Sequence, residues 1–188
     1  MKPRYSYLIS PLGSEYNNTK TIAGVEVTIN TTIEDAKFVN RLGVVLATPE
    51  YNNEDIKVGD IVVVHHNVFR TYLNMKGRQT KSNEFFRDDM YLVNPDRIFL
   101  YKNNEEWKTL SNFCFVKPVV LVQDKSYIQL EKNQENTGEL IFGNKNLNIT
   151  EGTKIGFTRN SEYEFNIDGQ KLYRMQNQDV CLTIPTTE

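Results

Sequence analysis

The chain has 188 residues, with 22 Lys and Arg against 24 Asp and Glu, a net charge of −2. Apolar residues make up 39% and charged residues 24%, which is a globular composition and not a disordered one. The near-balance of charge excludes a protein built to coat nucleic acid or an anionic membrane. Two cysteines, Cys114 and Cys181, cannot form a disulfide framework, and no apolar run reaches the roughly 20 residues of a membrane helix. Met1-Lys2-Pro3-Arg4-Tyr5 lacks the apolar core of a signal peptide, so a cytoplasmic protein is expected.

Taken in chain order, the apolar runs are short and rich in β-branched and aromatic residues. They are Tyr5 to Ile9, Val44 to Ala47, Ile61 to Val64, Arg97 to Tyr101, Phe113 to Val122, Glu139 to Phe142, Lys154 to Thr158, Tyr163 to Ile167 and Asp179 to Ile184. Gly, Pro, Asn and Asp separate them, the pattern of an all-β sandwich or barrel. Tyr163-Glu164-Phe165-Asn166-Ile167 alternates strictly, so it has one buried and one wet face. Asp168-Gly169 follows it as a hairpin turn. The one helical candidate is Thr31 to Arg41, where Thr31 and Glu34 have capping-box spacing.

The same strand program occurs twice. Tyr7 to Leu12, with Pro11, matches Phe113 to Val119, with Pro118. Gly43-Val44-Val45-Leu46-Ala47 matches Gly138 to Gly143. Val58-Gly59-Asp60-Ile61-Val62-Val63 matches Glu151-Gly152-Thr153-Lys154-Ile155-Gly156-Phe157, and Asp96 to Leu100 matches Asp179 to Ile184. Pro11 to Gly43 spans 32 residues against 20 from Pro118 to Gly138, and Gly59 to Asp96 spans 37 against 27 from Gly152 to Asp179. The first copy therefore carries two insertions, the second of them within Asn74 to Asp89. Two domains are expected, 1–104 and 105–188.

Asp55-Ile56-Lys57-Val58-Gly59-Asp60-Ile61-Val62-Val63 resembles the V-K-V-G-D-x-V turn and strand of GroES-type co-chaperonins. Ile9-Ser10-Pro11-Leu12 is similar to that family's opening strand, Gly43 to Ala47 to its G-x-V-x-A strand, and Asn94 to Phe99 to its closing strand. The second half resembles the family through Pro118, Gly138, Gly152 and Asp179, an arrangement similar to the tandem domains of plastid co-chaperonins; phage-encoded forms are a second comparison. The resemblance implies two tandem GroES-like irregular β-barrels and a homo-oligomeric ring. It also implies a long mobile loop, here about 14–40, that orders on the apical domains of a GroEL-type chaperonin. Within it the docking residues would be Ile22, Gly24, Val25, Val27 and Ile29. The family has glycine followed by an apolar tripeptide, and Glu26 departs from it. In an extended segment Val25 and Val27 share a face and Glu26 takes the other. Residues 21–29 also read as an ordinary amphipathic edge strand. Tyr127-Ile128-Gln129-Leu130 occupies the equivalent place in the second copy and is expected to form a simple hairpin.

No catalytic motif is present: no phosphate-binding glycine loop, no H-E-x-x-H, no G-x-S-x-G. No enzyme activity, cofactor or metal is expected. His65-His66, read as adjacent strand residues on opposite faces, would not share a metal. Cys114 and Cys181, on the first and last strands of the second copy, could be neighbours. Lys76 to Lys81 is a basic tip without an aromatic platform, hence a solvated hairpin, and neither nucleic acid nor membrane is an expected partner. Phe85-Phe86 reads as core or as an interface patch. Besides a co-chaperonin, two readings stand: a viral or phage capsid-associated protein using the same barrel, and a small-molecule-binding β-barrel.

Overall fold

The computed structural model describes residues 2–16, 19–28, 38–110, 112–125 and 128–185. The chain divides into two compact units, Met1–Glu106 and Trp107–Glu188. Both are all-β, and every strand pairing is antiparallel.

The first unit opens with β1 (Tyr7–Pro11), followed by two short strands, β2 (Thr19–Ile22) and β3 (Val25–Thr28). Next come β4 (Leu42–Ala47), β5 (Ile61–Val64), β6 (Thr71–Leu73), β7 (Gln79–Lys81), β8 (Phe85–Arg87), β9 (Met90–Val93) and β10 (Ile98–Asn103). The main sheet has seven strands; with β11 (Glu106–Thr109) outermost, the order is β11-β10-β5-β4-β1-β9-β8, while β2-β3 and β6-β7 form separate two-stranded sheets. Val62, Val63 and Val64 are fully buried, as a continuous apolar strand requires, and so are Tyr7, Ile9, Phe69, Tyr91, Ile98 and Leu100. Phe69 meets the ring of Tyr91 edge-on at 4.9 Å.

After β11 (Glu106–Thr109), the second unit consists of β12 (Phe113–Lys125), β13 (Ile128–Phe142), β14 (Lys154–Phe157), β15 (Tyr163–Ile167), β16 (Gln170–Gln176) and β17 (Val180–Ile184). Its sheet runs β17-β14-β13-β12-β16-β15. Cys114, Val116, Leu140, Ile155, Phe157 and Met175 form one buried cluster. Phe115 meets Phe165 at 5.8 Å and Phe142 at 6.3 Å. In β15 Phe165 and Ile167 are buried and Glu164 and Asn166 exposed, the alternation read from the sequence. Asp168 (φ 49°) and Gly169 (φ 79°) make the two-residue turn into β16, with Ile167 opposite Gln170.

The two units repeat one strand order and several of its hydrogen bonds. Six strands of the first sheet, β10, β5, β4, β1, β9 and β8, match β17, β14, β13, β12, β16 and β15, and β11 has no counterpart in the second sheet. Pro11 stands opposite Gly43, and Pro118 opposite Gly138. The Gly59 amide donates to the Val45 carbonyl (2.8 Å), and the Val45 amide to the Asp60 carbonyl (3.0 Å). In the second unit Gly152 donates to Leu140 (2.7 Å), and Leu140 to Thr153 (3.0 Å). Both turn glycines have positive φ, 93° and 87°, a backbone state costly for any residue with a Cβ. Each closing strand follows a 3₁₀ turn, Pro95–Arg97 or Asn177–Asp179, whose last carbonyl accepts an amide from the end of the glycine strand: His65 to Arg97 and Thr158 to Asp179, both 2.9 Å. The two extra segments of the first unit are the β2-β3 and β6-β7 hairpins, where the spacing differences require them.

Several expectations are corrected. The sheets do not close into barrels, because among the described residues no pairing joins the two ends of either order. The outer strand β8 has only three residues, all exposed, too short an edge to extend a ladder round. His65 and His66 lie beyond the end of β5 in a turn, so their rings do not take opposite faces; they stack with centroids 4.2 Å apart. Cys114 and Cys181 are both free and are not on neighbouring strands, since β13 and β14 lie between β12 and β17. Cys114 is fully buried, and burial pushes its thiol up to about 12. Of the helical candidate, Thr31 to Lys37 lies outside the described residues, and Phe38 to Arg41 is not helical: Val39 bridges Tyr16.

Candidate partner-binding hairpin

The expected docking segment leaves the main sheet after β1 and returns at β4. Both ends of this excursion are clamped. The Leu12 amide donates to the Leu42 carbonyl at 2.9 Å, and the Asn40 amide to the Glu15 carbonyl at 2.8 Å. Asn40 is only 2% exposed. Its Nδ2 donates to the carbonyls of Leu12 and Ser14, both at 2.8 Å, and its Oδ1 accepts the Leu42 amide at 2.9 Å. A buried carboxamide with its donor and acceptor both used fixes the spacing of the two chains it joins.

Two side chains tie this neck to the rest of the unit. The Glu15 carboxylate accepts the Tyr91 hydroxyl at 2.6 Å and is ion-paired with Lys81 at the end of β7. Burial, then the hydrogen bond to Glu15, raises the Tyr91 phenol far above its ordinary value, so it stays a donor at any physiological pH. Tyr16 bonds back to Thr71 in β6: its hydroxyl accepts the Thr71 amide at 2.8 Å and donates to the Thr71 carbonyl at 3.1 Å. The neck of the first inserted hairpin is therefore bolted to the base of the second.

Beyond the neck, β2 and β3 pair with Ile22 opposite Val25, Thr21 opposite Glu26 and Thr19 opposite Thr28. Ala23 (φ 51°) and Gly24 (φ 81°) make the connecting turn, both with the left-handed backbone that matches the twist of a two-residue hairpin. Val25 is 63% exposed and Val27 42%, both on one face of β3 because alternate strand residues share a face. Two exposed valines side by side on a detached hairpin form a small sticky strip. Ile29 lies outside the described residues. Residues 19–28 form this hairpin, which the Ala23-Gly24 turn favours locally.

In the second unit the equivalent place holds a plain extension of β12 and β13, paired from Val120 opposite Asn133 to Lys125 opposite Ile128. The clamp itself was not legible beforehand. Asn40 bonding the amide two residues on is a common Asx turn, but nothing in the sequence pairs Glu15 with Tyr91 or Tyr16 with Thr71, which lie 76 and 55 residues apart.

Among the described residues no group of His, Cys, Asp and Glu is placed to hold a metal ion, and no helix is long and apolar enough to cross a membrane. No protein-family model matches the chain, and no curated protein matches it either.

Proposed function

We propose that the protein is a GroES-like co-chaperonin, a non-catalytic cap built of two related β units that docks on the apical domains of a chaperonin. The observation that carries this reading is the Val25–Val27 strip, held out on a detached hairpin above a rigid neck. Burying one such side chain contributes about 1.5–3 kcal/mol. Two of them on one hairpin leave little after the costs of association, so a single contact is weak. A homo-oligomeric ring presenting several hairpins multiplies that weak contact through effective concentration, and still allows release when the partner changes state. The doubled strand order and the Val58-Gly59-Asp60 turn support the same reading, as features of the resemblance.

Size-exclusion chromatography with a GroEL-type chaperonin in ATP or ADP tests it. Nucleotide-dependent co-elution is expected, and it is lost when Val25 and Val27 are both replaced by Asp. Absence of co-elution, or co-elution unchanged by the double substitution, would overturn the proposal and favour the capsid-associated alternative.

A further inference from the structure

A second site lies in the first unit, lined by none of the described β2-β3 or neck residues. Three turns and the first residues of β6 meet there. The His65–Val68 turn is closed by the Val68 amide on the His65 carbonyl (2.9 Å), and the Ser82–Phe85 turn by Phe85 on Ser82 (3.2 Å). The third is the Pro95–Arg97 3₁₀ turn. Between them is a cavity of about 410 Å³ whose lining includes Asn67, Arg70, Tyr72, Ser82, Glu84 and Arg97.

Its chemistry is mixed in an informative way. Arg70 and Arg97 bring two guanidinium forks to one cavity, the arrangement that matches the oxygens of a phosphoryl group. The Arg97 fork has only a long contact of 3.9 Å to Asp96, which is itself largely exposed. The positive field is felt nearby: burial first, then Arg41, Arg70 and Arg97, push His66 down to about 4. Asn67 is positioned by its amide, which donates to His65 Nδ1 at 3.1 Å, while its own Oδ1 is buried without a protein donor. The same Oδ1 is closed off from solvent, so Asn67 walls the cavity and offers a ligand no acceptor. Ser82 already donates its hydroxyl to the Val68 carbonyl at 2.5 Å, which leaves its oxygen as an acceptor. Glu84 adds a carboxylate, which repels a bare anion and accepts from hydroxyls.

We propose that this cavity binds a small phosphorylated polyol, with its phosphoryl group on Arg70 and Arg97 and its hydroxyls donating to Glu84 and the Ser82 oxygen. The Tyr72 ring supplies a face for the carbon skeleton. Phosphate alone would satisfy the arginines but meet Glu84 unfavourably; an uncharged sugar would forgo the guanidinium contacts. The site is independent of the hairpin and of the co-chaperonin reading.

Isothermal titration calorimetry on the full chain, with ribose 5-phosphate, ribose and inorganic phosphate as probes, tests this. Saturable binding of ribose 5-phosphate at one site per chain is expected, with inorganic phosphate weaker by about tenfold or more and ribose silent. Arg97→Gln, at a partly exposed side chain, weakens ribose 5-phosphate by about tenfold or more. Glu84→Ala narrows the difference between ribose 5-phosphate and inorganic phosphate, because it removes the hydroxyl acceptor and the repulsion of the bare anion together. No saturable binding of ribose 5-phosphate would overturn the proposal, as would phosphate binding equally well or Arg97→Gln leaving the affinity intact.

Discussion

The hydroxyl of Tyr91 donates to the carboxylate of Glu15 at 2.6 Å, joining the centre of a core strand to the neck of the inserted hairpin 76 residues away. Tyr91 is fully buried, and Glu15 also pairs with Lys81. The neck is thus part of the core of the first unit, while the hairpin it carries is not.

Breaking the neck should cost more than its size suggests. Tyr91→Phe removes a hydrogen bond to a carboxylate and is expected to destabilise the protein by about 1–3 kcal/mol. Asn40→Ala leaves the Leu12 and Ser14 carbonyls and the Leu42 amide without their partner, and is expected to cost on the order of 2–4 kcal/mol. Urea unfolding curves measure both. Val25→Ala, at an exposed position, should leave the midpoint nearly unchanged.

The matched glycines opposite the two prolines make a second prediction. A Cβ on Gly43 would lie 2.5 Å from Ile9 Cγ2, and one on Gly138 would lie 2.2 Å from Val116 Cγ1 and 2.8 Å from the Lys117 carbonyl oxygen. Both neighbours are fully buried and cannot swing away. Gly43→Ala and Gly138→Ala should therefore each destabilise by about 1–3 kcal/mol through overpacking. Gly143→Ala, whose new carbon would sit 3.3 Å from Leu140 Cδ2, should cost less. Thermal melts of the three variants decide this.

His66 sets an acid limit. Its folded pKa is about 4 against an ordinary 6.5, held down by burial first and then by Arg41, Arg70 and Arg97, with His65 stacked on its ring. Between those values the unfolded chain binds a proton at this residue and the native protein does not. The stability it contributes is present above pH 6.5 and is lost as pH falls towards 4. Carboxylates titrate in the same range, so the informative measurement is a difference. His66→Gln should lose less stability than the parent between pH 6.5 and 4. Parallel pH profiles would contradict the assignment.

Much of this architecture could be read in advance, and the reasons are local. Burial on alternate positions announced β15, and the uninterrupted valines of β5 announced a strand buried on both faces. The duplicated spacing of proline, glycine and acidic residues showed that the first copy carries two insertions, because the hydrogen bonds of Gly59 and Gly152 need a residue that tolerates positive φ at those points. The range Asn74 to Asp89 sets the second insertion too late, since the extra hairpin β6-β7 begins at Thr71. Closure was misjudged because strand number and alternation do not report whether end strands meet; β8, with Phe85 and Phe86 exposed, has neither the length nor the burial for it. The His65-His66 geometry differs because the strand ends with its apolar run at Val64, and the two histidines lie beyond it. The valine strip was legible from alternation alone, whereas Glu15, Tyr16 and Asn40 as its clamp, and the Arg70–Arg97 cavity, depend on contacts between distant segments that no local pattern encodes.

Amide hydrogen exchange of the full chain, alone and with a GroEL-type chaperonin in ADP, tests the central claim most directly. The account predicts that exchange slows in residues 19–28 on mixing, while the neck amides of Leu12, Asn40 and Leu42 are equally protected in both states. Unchanged exchange across 19–28, or protection that appears only elsewhere in the chain, would contradict it.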